Sequence, residues 1–152
     1  MLRDVCSGDY VTVKVFGEDR RVLVLSVGDN RFDADGNYKE EGFALDEVEM
    51  ACLNWLVAAV SLDDYQEAIL GYCNRCYENI GAAPVTMDKL ADEVTIGAIA
   101  VNVSEVTQSA DGSLVYPEIS FLGDCVSDGE RGICIGFRDG RFLGIGGQDW
   151  TL

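Results

Sequence analysis

LDEVEMACLNWLVAAVSLDDYQEAILGYCNRCYENIG, residues 45–81, holds two helix start signals and one stop, and the rest of the chain is read outward from it. Asp46 is placed as an N-cap, its carboxylate able to accept from the free amide three residues on. Glu49 sits at the reciprocal position of a capping box. Leu45 and Met50 bracket that cap as a hydrophobic staple. From Glu47 to Val60, Val48, Ala51, Cys52, Leu53, Trp55, Leu56, Val57, Ala58 and Ala59 cover nearly the whole circumference beyond the first turn, which predicts a buried helix. Ser61 starts again, with Asp64 three residues on and Val60 spaced to Tyr65 as a second staple. Leu62, Tyr65, Ile69, Tyr72 and Cys76 then recur at steps of three and four, the stripe of an amphipathic surface helix. Gly81 is placed to end it.

The flanks read as strands. Val11, Val13 and Val15 alternate with Tyr10, Thr12, Lys14 and Phe16. Gly17-Glu18-Asp19-Arg20 is the predicted turn and Arg21–Val27 the returning strand of a hairpin, ended by Gly28-Asp29-Asn30. Beyond the helices, Thr86 is expected to cap a short helical turn through Leu90 and Ala91. Four strands follow, Val94–Val106, Leu114–Gly123, Ile133–Phe137 and Phe142–Ile145, separated by Asp111-Gly112, Asp128-Gly129 and Asp139-Gly140. Asp-Gly suits tight hairpins because both central residues of the favoured turn need positive φ. An antiparallel meander is expected, with Phe137 opposite Phe142, Ile135 opposite Gly144, Phe121 opposite Phe137 and Cys125 opposite Ile133. That register argues against a Cys125–Cys134 disulfide. The last hairpin is apolar on both faces, so the helices should cover one and a loop or a second copy of the chain the other. Pro117 inside a predicted strand points to an edge or a bulge.

The expected fold is therefore a single α+β domain over residues 1–152, with an N-terminal β-hairpin, a central helical pair and a C-terminal four-stranded antiparallel meander. At this length one fold buries roughly 68–70% of its unfolded surface, enough for a core without staples. Apolar residues make up 48% and charged residues 25%, which excludes a disordered acidic tail. No run approaches the roughly 20 apolar residues that span a bilayer. The opening residues lack a basic region followed by an apolar one, so no leader is expected and a cytoplasmic location follows. Six cysteines in that setting are expected to stay reduced.

With 27 acids against 11 bases the formal net charge is -16. Such a surface repels phosphate backbones, which argues against nucleic acid as a partner. It speeds and orients encounter with a basic protein; solubility alone is the plainer account. Asp33 to Glu49 holds seven acids and one base, Lys39, the densest acidic stretch. Asp33, Asp35, Glu40, Glu41, Asp128 and Glu130 are the candidate partner-binding residues.

Histidine is absent, which removes Ser-His-Asp and Cys-His catalysis and histidine metal ligands together. Asp33-Ala34-Asp35-Gly36-Asn37 resembles part of a calcium loop. Aligning Gly36 to the loop glycine, however, puts Arg31 at the first ligand position and Gly42 where a bidentate Glu is required, so a turn is the better account. Cys73-Asn-Arg-Cys76 has the spacing of a redox pair or half a zinc site, with Cys125 and Cys134 able to complete four thiolates. It lies in the last turns of a helix, though, away from the N-terminal dipole that would acidify a thiol, and two core residues on one face explain it. Asp124, Asp128, Glu130, Asp139 and Asp149 gather near hairpin tips. An enzyme or metal binder built on two of Asp124, Glu130 and Asp149 is the alternative function. Gly144-Ile-Gly146-Gly147 lacks the Lys-Ser/Thr and the helix of a phosphate loop. Neither catalytic residues nor a cofactor or metal is assigned.

The segment Pro117-Glu-Ile-Ser-Phe121, Gly123-Asp-Cys125, Asp128-Gly-Glu-Arg-Gly-Ile-Cys-Ile-Gly-Phe-Arg-Asp-Gly140 and Gln148-Asp149 resembles a group of uncharacterised bacterial domains. Their C-terminal ends share an acidic hairpin, an Asp-Gly turn and a terminal Gln-Asp. Where those domains carry a histidine between Glu and Gly, this chain has Arg131, so no role of that histidine transfers. Some such domains look like immunity proteins, small acidic proteins that block a toxin by binding it. The resemblance thus implies a non-enzymatic binding protein with a basic toxin as partner and no membrane role.

Overall fold

The structure, a computed structural model, describes residues 2–26, 35–37, 44–102, 107–108, 114–115, 118–138 and 140–148. Its first two strands, β1 (Tyr10–Val15) and β2 (Glu18–Ser26), pair antiparallel with Val15 opposite Glu18. The loop between them is therefore Phe16-Gly17, not the expected Gly17–Arg20. Both loop residues have positive φ, 50° and 81°, the geometry of the tight turn that matches strand twist. A phenylalanine adopts it here because its side chain is half-buried against the core and the Gly17 amide donates to Asp63 Oδ1 at 3.0 Å.

Asp46 caps α1 (Glu47–Ala59) with both reciprocal bonds of the capping box, Glu49 N to Asp46 Oδ1 at 2.8 Å and Asp46 N to Glu49 Oε1 at 3.0 Å. The expected all-round burial is not found. Leu53 and Leu56 are sealed in the core, Val48, Cys52, Trp55 and Val57 are half-buried, and Ala51, Ala58 and Ala59 face outward. Alanine and valine are small enough to sit at a surface at little cost, so apolar content overstated the buried arc. Ser61 caps a 3₁₀ turn, Leu62–Tyr65, which leads into α2 (Gln66–Asn79). At its end Gly81 takes φ 72°, its amide bonding Glu78 O and the Ala82 amide bonding Tyr77 O, the paired bonds of a Schellman motif. A 3₁₀ turn, Met87–Lys89, then runs into the one-turn α3 (Leu90–Glu93); the Thr86 hydroxyl bonds the Asp88 side chain rather than a backbone amide.

Six further strands follow: β3 (Val94–Asn102), β4 (Thr107–Gln108), β5 (Leu114–Val115), β6 (Glu118–Cys125), β7 (Ile133–Arg138) and β8 (Arg141–Gly146). The fold is α+β, but hairpin and C-terminal strands are not separate units. They join in one six-stranded mixed sheet of order β1-β2-β3-β6-β7-β8, in which β2 and β3 pair in parallel, while β4 and β5 form a small ribbon of their own. A parallel pair cannot be joined by a tight turn, and the chain through α1, α2 and α3 is the crossover that joins it. The expected strand Leu114–Gly123 is split: its later part, β6, pairs antiparallel with β3, while Leu114–Val115 belongs to the ribbon. Pro117 lies outside the described residues.

One face of the sheet carries Val24, Ile99, Phe121, Ile135 and Ile145 in a row, with Val101, Ile119, Phe137 and Phe142 beside them. Trp55 and Tyr65 lie edge-on to Phe137 at 5.9 and 5.5 Å between ring centroids, and Tyr65 tilts over Phe142 at 4.8 Å. Both helices therefore cover this face. A bulge at Gly97 lets Ile96 and Ile99, three residues apart, point to the same side. Opposite it, a Cβ on Gly123 would fall 2.2 Å from Thr95 O, so only glycine fits there. Registers shifted from expectation: Ile135 rather than Phe137 faces Phe121, and Leu143 is the extra residue that sets Ile135 against Ile145. The first slip is by two residues, so every side chain keeps its expected face. Among the described residues no helix is long and apolar enough to cross a membrane.

Candidate functional site

Of the candidate surface acids, Asp35 is exposed, while Asp33, Glu40 and Glu41 lie outside the described residues. Asp128 and Glu130 share the corner between β6 and β7, a 3₁₀ turn (Val126–Asp128) followed by a tight bend. Glu130 is exposed there. Asp128 is engaged: its carboxylate accepts from the Arg131 backbone amide at 3.2 Å and from the guanidinium Nε at 2.8 Å, and its carbonyl accepts from Gly132 N at 2.9 Å. The Arg131 amide and guanidinium hold the carboxyl below the usual carboxylate range. Asp128 thus shapes the corner as much as it charges it. The spacing Asp-x-x-Arg carried that signal.

For the alternative site, Asp124 is exposed on β6 opposite Thr95, and Asp139 and Asp149 lie outside the described residues. Among the described residues no three or more cysteine or carboxylate side chains gather as a metal would require. Cys134 is turned to the other face of the sheet, in register with Leu122, so it does not join Cys125. None of the six cysteines is held in a disulfide. Cys52 is pushed up to about 11 by burial, with Asp46 and Glu49 adding to the shift, which makes its thiolate scarce at neutral pH.

A buried polar cluster lies where α2 meets the β6–β7 corner. Cys73 Sγ and Cys125 Sγ are 3.6 Å apart, and Cys125 Sγ is 3.0 Å from Ser127 Oγ. The Tyr72 hydroxyl donates to Gly132 O at 2.8 Å, and burial pushes its pKa up. Gln148 Nε2 donates to Gly123 O at 2.7 Å while its backbone amide bonds Arg131 O at 2.7 Å. Gly132 has φ 62°, and a Cβ there would stand 2.4 Å from Gly123 O and 2.7 Å from Gln148 Nε2. The hydrogen bond shared with Cys73, and that with Ser127, stabilise the Cys125 thiolate and lower its pKa; the shared bond and burial raise that of Cys73. The meeting of Cys73 with Cys125 was not read from the sequence. The signal was present in two pieces: Cys73 adjoins the inward stripe of Ile69, Tyr72 and Cys76, and Cys125 shares the inward parity of Phe121.

The model of a domain of unknown function, DUF6985, matches residues 3–152. The chain belongs to the DUF6985 family. The match takes in the hairpin and helices as well as the C-terminal segment on which the resemblance rested. No curated protein and no solved structure matches this DUF6985 chain at a significant level.

Proposed function

We propose that this DUF6985 domain is a non-enzymatic binding protein whose acidic surface docks on a basic protein, in the manner of an immunity protein covering a toxin. The observation that carries the reading is the net charge of -16 on a chain whose only fully buried carboxylate among the described residues is Glu49. Glu49 is the capping-box residue, with a structural duty. The rest of the described acids are at least partly open to solvent, and their summed charge steers encounter even where single carboxylates, such as those of Asp46, Asp63 and Asp128, also hold the fold. Asp35 and Glu130 are exposed, and they are the centre of the proposed surface with Asp33, Glu40, Glu41 and Asp128. The likeness of the C-terminal segment to immunity-type domains favours a toxin as the basic partner, and cytoplasmic action goes with it.

Capture from a host lysate at low and at high salt, followed by binding of the purified partner, tests this. A basic protein held at low salt and released at high salt is the expected result, because contacts between exposed charges are screened beyond about 10 Å at 0.1 M. An Asp35→Asn, Glu130→Gln chain should hold it less tightly. Recovery of no basic partner at low salt would overturn the reading.

A further inference from the structure

We propose that Cys73 and Cys125 are a modification site: a hydroperoxide converts them into a reversible disulfide that pins α2 to the end of β6. The two sulfurs come from elements 52 residues apart and face each other at 3.6 Å. A disulfide bond is about 2.05 Å long, so closure requires the two sulfurs to approach by about 1.5 Å. The neighbouring Cys76, three residues along the same helix, has the spacing of a competing partner, but a bridge to it would not link α2 to the sheet. Cys134 is on the other side of the sheet. The pair is also chemically unequal. The Cys73 thiol and the Ser127 hydroxyl both lie within hydrogen-bonding distance of Cys125 Sγ, an arrangement that favours Cys125 as the nucleophile. Both thiols are sealed from solvent, at 0% and 1% exposure, so oxidant and reductant alike reach them through local opening, which favours a small oxidant such as hydrogen peroxide.

The reaction balances without any further co-reactant. Cys125 loses its proton to solvent, and its thiolate attacks one peroxide oxygen; an S–O bond forms as the O–O bond breaks, and the hydroxide released is protonated to water. Sulfur is oxidised to the sulfenic acid and the peroxide is reduced. Cys73 then gives up its proton and its sulfur attacks that of Cys125; the S–S bond forms, the S–O bond breaks, and the leaving hydroxide takes the proton as a second water. Two thiols and one hydrogen peroxide give one disulfide and two waters. An external dithiol reverses the change by exchange. The corner bearing Asp128 and Glu130 begins one residue after Cys125, so the bridge fastens it to α2. This inference stands on the thiol geometry and does not depend on the binding role.

The test uses the full chain, fully reduced, exposed to hydrogen peroxide while folded, then denatured, alkylated and mapped by mass spectrometry. The expected result is a mass lower by two hydrogens before alkylation, four alkylated cysteines, a linked pair of peptides carrying Cys73 and Cys125, a raised Tm and full reversal by dithiothreitol. In Cys73→Ser, Cys125 should be trapped as a sulfenic acid by dimedone; Cys6→Ser should form the bridge as the parent does. The map of the unaltered chain decides the matter even where a variant fails to fold. Six alkylatable cysteines after treatment, or a bridge between any other pair, would overturn the proposal.

Discussion

On the helix-covered face of the sheet a row of side chains reads Val24, Ile99, Phe121, Ile135, Ile145; on the opposite face the neighbouring row reads Leu25, Ala100, Ser120, Gly136, Gly144. Long branched and aromatic groups fill the space between sheet and helices, where Phe137 alone meets Trp55, Tyr65, Phe121 and Phe142. The second face has almost no side-chain height, yet Ala100 is 3% exposed, Ser120 2% and Cys134 0%. Burial at the sheet centre is thus high on both sides, but large side chains fill one face and small ones line the other. The two faces should therefore fail in opposite ways, one through loss of atoms and the other through their addition.

Phe137→Ala should be the most damaging change, removing the ring at the centre of the aromatic group and costing about 3–5 kcal/mol, read as a lower urea midpoint with unchanged slope. Gly123→Ala should follow, because its new methyl would meet the Thr95 carbonyl, backbone that cannot rotate away; a cost near or above about 3 kcal/mol is expected by the same measurement. On the thin face, Ala100→Leu should cost roughly 1–3 kcal/mol by overpacking. A neutral or stabilised Ala100→Leu chain would mean that the cover over this face yields, and the contrast between the faces would break.

How far each face was legible follows from the range of the signals. Ser61 and Gly81 announce the ends of the second helical segment through bonds spanning a few residues, and both caps are found. The inward set Phe121, Ile133, Ile135 and Phe137 was also legible, because a two-residue slip of register preserves parity. The parallel pairing of β2 with β3 was not legible: Leu23 meets Ala98 across the whole helical crossover, and no local residue choice encodes that contact. Phe16 misled for a different reason. Its positive φ runs against its own preference and is sustained by packing and by Asp63, both distant in sequence. At the candidate site, Asp128 and Glu130 were placed at a turn by Asp-Gly, and the Asp-x-x-Arg spacing held the Asp128–Arg131 bond as a local signal that went unread.

Asp128 lies on neither face and calibrates both. Its folded pKa is depressed, so its contribution is present above the ordinary carboxylate range and disappears as pH falls through the lowered value. Arg131 is more than half exposed, so solvent screens the pair, and Asp128→Asn should cost less than about 1 kcal/mol at neutral pH. The difference from the parent chain should shrink to nothing in strong acid. A difference that persisted there would assign the effect to the backbone bonds of the corner rather than to charge.

Gly97→Ala is the smallest expected effect and isolates which strand fixes the bulge. Gly97 is exposed, and a Cβ on it would meet nothing within 4 Å, whereas Gly123 across from it has no room at all. If the bulge is imposed by the close approach of β6 to the Thr95 carbonyl, the bulged residue itself is free to vary, and the change should stay within about 0.5 kcal/mol of neutral. The alanine chain should then keep Ile96 and Ile99 on the same face, visible as unaltered slow amide exchange through β3 and β6. A loss above about 1 kcal/mol would place the requirement in the backbone freedom of Gly97 instead, and the switch of side chains between the two faces would have to be explained from β3 outward.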